Sequence, residues 1–124
     1  MTSPVVLDAS ALLAFLQGGP GAQTVEDLLG AGARCSSVNW SEVAQKVRAG
    51  GGDWRVAAAI LQSYALEVMD ATTQDAEEAA ALWERGSGLS LADRFCLALG
   101  SRTKGTVWTA DGAWGETTHI RQIR

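Results

Sequence analysis

Four short apolar runs punctuate the chain: PVVL at 4–7, RCSSV at 34–38, LEVM at 66–69 and TVWT at 106–109. The stretches between them repeat their apolar residues at helical spacing. Runs this short suit buried strands, whereas the intervening period suits amphipathic helices. Strands that alternate with helices must be joined by right-handed crossovers, which gives a mainly parallel sheet covered on both faces. The expected class is therefore α/β with a central sheet of four to five strands, the fifth being HIRQI at 119–123 on an edge.

The helical segments follow from the same reading. A helix is predicted over 9–17, broken by GGPG at 18–21, and another carries Val25, Leu28 and Leu29 before Gly30 and Gly32. The next presents Trp40, Val43, Ala44 and Val47 on one face and stops at GGG, 50–52. Val56, Ile60, Leu61 and Tyr64 mark a fourth, and 74–85 and 91–102 two more. The acidic QDAEE at 74–78 suits a helix start facing water. At 124 residues the chain is expected to be one domain, 1–124.

Composition removes several chemistries. The two cysteines, Cys35 and Cys96, sit among apolar residues at no metal or redox spacing, so buried free thiols are expected. One histidine, His119, leaves little room for a zinc site of nitrogen and sulfur ligands. A net charge of −4 argues against broad coating of nucleic acid, though not against an enzyme with a local patch. The apolar runs are too short to cross a bilayer. The N-terminus lacks a basic region ahead of an apolar stretch, so a cytoplasmic protein with no membrane association is expected.

Four carboxylates then stand out, each with a local explanation. Asp8 ends the first run, where it suits a helix N-cap. Glu42 lies three residues after Asn39 and Asp93 three after Ser90, the spacing of capping boxes. Asp111 precedes Gly112, as in an ordinary turn. In an open parallel sheet, however, strand C-termini and the following helix starts share one edge, where ligands bind. Asp8, Glu42 and Asp111 would reach that edge by topology, and Asp93 by packing. Two carboxylates about 4 Å apart repel by roughly 4 kcal/mol at an effective dielectric of 20, a cost that a divalent cation removes. All-oxygen ligands suit Mg²⁺ or Mn²⁺, and such sites commonly act on phosphate esters.

VVLDASALLAFL, SSVNWSEVAQKV, GLSLADRFCLAL and TVWTADGAW resemble, in that order, the signature segments of PIN-domain proteins, most closely the VapC-type toxins of toxin–antitoxin pairs. The likeness runs from Val5 to Trp114. It implies a three-layer α/β/α fold and a Mg²⁺- or Mn²⁺-dependent endoribonuclease acting on structured RNA such as transfer RNA. It also implies a VapB-like antitoxin and a homodimer. The family's acidic set falls on Asp8, Glu42, Asp93 and Asp111, with Asp8, Asp93 and Asp111 as the metal ligands. Its supporting hydroxyls fall on Ser10 and Thr109, and Asn39 occupies a commonly polar position. Gly112 stands where relatives often carry a basic residue.

Arg94 is a candidate phosphate or partner contact, against a solvated helix-face arginine. Among five tryptophans, Trp54 is the candidate exposed contact, while Trp40 and Trp108 are expected to pack the core. Two rival functions remain. One is a PIN-like RNA- or protein-binding module without catalysis. The other is a receiver-type signalling domain with Asp70 as phospho-acceptor and Thr109 as switch hydroxyl, although Ala9 stands where a second N-terminal acid is required.

Overall fold

The computed structural model describes residues 3–124. Five strands form one all-parallel sheet: β1 (Val5–Leu7), β2 (Ala33–Ser36), β3 (Leu66–Met69), β4 (Thr106–Thr109) and β5 (Ile120–Gln122), in the order β3-β2-β1-β4-β5. Six α-helices connect them: α1 (Ala9–Gln17), α2 (Ala22–Ala31), α3 (Ser37–Ala49), α4 (Trp54–Gln62), α5 (Thr73–Ala81) and α6 (Leu91–Thr103). A single 3-10 turn, Gly112–Trp114, follows β4. Among the described residues, no helix is long and apolar enough to cross a membrane.

Alternation along β1 produces the layers. Val5 and Leu7 belong to the larger core, with Leu12, Val25, Leu29, Val43 and Leu61 from α1–α4. Val6 points the other way, into a smaller core with Cys96 and Leu99 of α6 and Val107 of β4. A period-two strand buried on both faces thus packs two separate helical layers. Because the strands are only three or four residues long, α3 and α6 from opposite layers also touch each other beyond the strand ends.

The expected strands are present, and several boundaries move. β2 stops at Ser36, whose hydroxyl accepts from the Val38 N–H and caps α3. Asn39 is therefore inside the helix rather than its cap, and Glu42 is not in a capping box. Either residue is a good cap by type; Asn39 is withdrawn because its amide is used across the core by α6. α5 ends at Ala81 instead of running to residue 85, since the Trp83 N–H turns back to the Ala80 carbonyl. In α4, Ala57 and Leu61 form the buried face while Val56 and Ile60 are exposed. Asp75 is buried rather than facing water. The strand order also removes the receiver reading: that architecture has the order 2-1-3-4-5, with β3 inside the sheet. Here β3 is an edge and Asp70 follows it, exposed.

Asp75 closes a capping box with Thr72 and receives two Arg102 hydrogen bonds, at 2.8 and 3.0 Å, which lock α5 to the end of α6. Burial would raise its carboxyl, but the Arg102 hydrogen bonds and charge, with the Thr72 N–H, hold it below the ordinary 3.8. The stability this brings is present above pH 3.8 and lost as pH falls through the lowered value. Asp75→Ala is expected to cost about 2 kcal/mol at pH 7 in urea unfolding, typical of a hydrogen bond to a charged group. The difference from the parent should shrink only under acid conditions.

Candidate functional site

Asp8 follows β1 directly and is 3 % exposed, an unusual depth for a carboxylate. It caps α1 by accepting from the Ala11 N–H on Oδ1 at 2.8 Å. Capping needs one such bond, and Asp8 makes more. The Ser10 hydroxyl donates to the same carboxylate, 2.8 Å from Oδ1 and 2.9 Å from Oδ2, and the Thr109 hydroxyl donates to Oδ2 at 2.5 Å. Each hydroxyl is oriented in turn by a backbone donor just after β4. Ala110 N–H donates to Ser10 Oγ at 2.9 Å, and Asp111 N–H donates to Thr109 Oγ1 at 3.0 Å. Both hydroxyls lie within hydrogen-bond distance of Asp8, and of each other at 3.2 Å.

Asp93 lies in the first turn of α6. Its capping box with Ser90 is real, with Ser90 N–H donating to Oδ2 at 2.9 Å and Asp93 N–H to Ser90 Oγ at 3.1 Å. The cap uses Oδ2 alone. Burial raises the pKa of Asp8 most; hydrogen bonds from Thr109, Ala11 and Ser10 oppose it, and the charge of Asp93 raises it further. The net direction is upward from 3.8. The charge of Asp93 is thus felt at Asp8.

The buried Cys96 thiol locates a third acid. Desolvation pushes it well above 9.0, followed by the charges of Asp8, Cys35, Asp93 and Glu42. Glu42 is half-buried within α3, and its Oε2 is 3.4 Å from Lys46 Nζ one turn along. This pair was legible in SEVAQK as Glu and Lys at i,i+4 spacing. Asp111 is exposed and caps the 3-10 turn, with Oδ1 accepting from the Ala113 N–H at 2.9 Å. It joins the site through its N–H, which donates to Thr109 Oγ1.

The supporting candidates divide. Ser10 and Thr109 are central. Asn39 is buried, and its Nδ2 donates to the Ala92 carbonyl at 3.2 Å, beside Asp93. Arg94 is not a solvated helix-face residue. Its Nη1 donates to the Ala79 carbonyl at 2.8 Å, and its Nε is buried without a partner among the described residues. Trp54 is half-buried against Trp40, edge to face at 4.9 Å, because the two rings close α4 onto α3. The exposed tryptophan is instead Trp83, at 57 %, with the Arg85 guanidinium 5.8 Å from its ring centre. The early end of α5 leaves it outside the helix.

Among the described residues, no three of His, Cys, Asp and Glu stand close enough to hold one metal ion. A preformed four-acid cage is therefore absent. The donor chemistry still fits a hard divalent cation, since such ions keep several waters and need only one or two carboxylates. The carboxylates of Asp8 and Asp93 are oxygen donors of that kind, and the buried Oδ1 of Asn39, without a partner among the described residues, is a neutral acceptor for a water. An apolar groove of about 660 Å³ between α5, α6 and β5 contains none of these acids.

The family model described as PIN domain matches residues 5–119. Three solved structures share the fold across nearly the whole chain. A toxin–antitoxin complex from Klebsiella pneumoniae has 17 % identity and a TM-score of 0.77, covering 97 % of this chain and 98 % of that one. Mycobacterium tuberculosis VapC20, a sarcin–ricin loop cleaving toxin, has 20 % identity and a TM-score of 0.72, covering 91 % and 96 %. DNA-bound VapBC from Salmonella typhimurium has 17 % identity and a TM-score of 0.73, covering 100 % of both. At these identities the likeness is one of fold. No curated protein matches the chain significantly in sequence.

A raised carboxyl binds protons more tightly in the folded chain, so metal-free stability falls as pH rises from 3.8 through the raised value. Asp8→Asn removes that buried charge at constant shape. In EDTA it is expected to melt at a higher temperature than the parent at pH 7, with the difference closing towards pH 3.8. Paired melting curves across that range check this.

Proposed function

This chain belongs to the PIN-domain family, and on that premise we propose that it is a divalent-cation-dependent endoribonuclease, the toxin of a toxin–antitoxin pair. The observation that carries the reading is Asp8: a buried carboxylate oriented by two hydroxyls, within reach of the charge of Asp93, and with no cationic partner among the described residues. Capping α1 takes one hydrogen bond, whereas burial of the whole carboxylate pushes its pKa up, which makes Asp8 a candidate for chemistry.

Asp8 and Asp93 would hold Mg²⁺ or Mn²⁺, with waters filling the rest of the ion's shell and Asp111 facing it from the exposed rim. When bound, such a cation neutralises charge on a phosphate ester and makes a bound water more nucleophilic. Ser10 and Thr109 hold the Asp8 carboxylate in one orientation, each hydroxyl being within hydrogen-bond distance of it. Glu42 is the acid outside the ligand set. Its Oε atoms, kept half-buried and balanced by Lys46, are suited to taking a proton from an attacking water. The open rim at Asp111 and Gly112 suits a bulky folded substrate, in keeping with a structured RNA such as transfer RNA. The solved VapBC complexes of this fold support a VapB-like antitoxin as partner. A homodimer acting in the cytoplasm completes the proposal.

A second reading is favoured by one observation, the lack of a preformed three-ligand group. In it the chain is a PIN-like binding module without catalysis. The two separate in one assay. Purified protein in Mn²⁺ should cut structured RNA, EDTA should stop it, and Asp93→Asn should lower the rate by about 100-fold or more, the scale of a lost acid–base or metal-holding group. Ser10→Ala should lose about 10-fold, as for an outer support of a ligand. Equal cleavage by the parent and Asp93→Asn would remove the site assignment, and no cleavage in any metal would favour the binding module.

A further inference from the structure

Asn39 holds a buried atom that the fold leaves without a partner. The residue is 1 % exposed, and its Nδ2 donates to the Ala92 carbonyl at 3.2 Å. That bond fixes which way round the carboxamide lies, because only the NH₂ end can face a carbonyl oxygen. Oδ1 therefore occupies the other end, buried, with no hydrogen-bond donor among the described residues. Buried acceptors in native proteins are almost always satisfied, so an orphan of this kind marks the place of a water, an ion or a ligand.

Its surroundings say which. Asn39 precedes Glu42 by one turn on α3, and Ala92 is the chain neighbour of Asp93 on α6. The carboxamide thus bridges the two helices that carry these acids. A hard divalent cation keeps several waters, whose hydrogens need acceptors. The carboxylate oxygens of Asp8 and Asp93 are already partly taken by Ser10, Thr109, Ala11 and Ser90. A neutral carbonyl can accept from such a water without adding to the repulsion among the acids.

We propose that Asn39 is a positioning residue of the acid pocket, its Nδ2 tying the first turn of α6 to α3 and its Oδ1 reserved for a water in the hydration shell of the bound cation. The inference rests on the cation-dependent reading above and adds a neutral acceptor to it.

Calorimetric titration of the whole chain with Mn²⁺, alongside thermal melts to check folding, tests it. Asn39→Leu, which keeps the volume but neither polar end, should weaken Mn²⁺ binding by about 10- to 100-fold, the usual effect of losing such a support. Asn39→Asp keeps an acceptor but loses the NH₂ that holds Ala92, and should bind Mn²⁺ more tightly than the leucine variant. If leucine prevents a cooperative melt, Asn39→Ala makes the same comparison. A leucine or alanine variant within about twofold of the parent would overturn the proposal, since even a weak supporting contact costs more. So would an aspartate variant as weak as leucine, because the tie to Ala92 would then be the whole role. A parent that takes up no Mn²⁺ would instead sink the cation reading, and this inference with it.

Discussion

A carboxylate buried at the end of β1 is the point on which the rest of the structure turns. Asp8 needs donors on every side, and it obtains them from α1, from its own first turn at Ser10 and from β4 at Thr109. Those bonds require β4 to lie beside β1, and it does, with Leu7 in register with Trp108. They also require the chain after β4 to turn sharply, so that the N–H groups of Ala110 and Asp111 reach Ser10 and Thr109. That turn is secured from the C-terminus, where Gln122 donates to the Asp111 carbonyl and Arg124 to the Ala110 carbonyl.

Short strands are what make the pocket shared. With three or four residues per strand, the helical layers overhang the sheet and meet past its C-terminal edge. Asn39 from one layer then reaches Ala92 in the other, and Glu42 and Asp93 both act on the Cys96 thiol beneath them. Longer strands would hold α3 and α6 apart, and the acids would lie on opposite faces.

The two buried acids in the fold illustrate opposite uses of a carboxylate. Asp75 is neutralised within the chain by Arg102, and its carboxyl is held low, which marks it as structural. Asp8 is supplied with neutral donors only, beside another acid, and its carboxyl is pushed up. Hydrogen bonding offsets part of the desolvation but leaves the charge uncompensated. The difference identifies which of the two is available to a cation.

The sequence by itself determined the class of fold and offered the candidate acids. Period-two and helical patterns are local, and they placed LEVM and TVWT correctly, as well as the Ser90–Asp93 capping box. Only the tertiary structure decided which local options were taken. Ser36 rather than Asn39 caps α3 because Ala92, fifty-three positions away, claims the asparagine. Asp75 is buried because Arg102 reaches it from another helix, and Trp54 is covered because Trp40 is beside it. The charge of Asp93 is felt at Asp8 because α6 packs on β1, β2 and β4, the inner strands of the sheet. A local pattern records which groups can cap, pair or ligate; it carries no information about the distant residue that competes for them, and that competition is settled by packing.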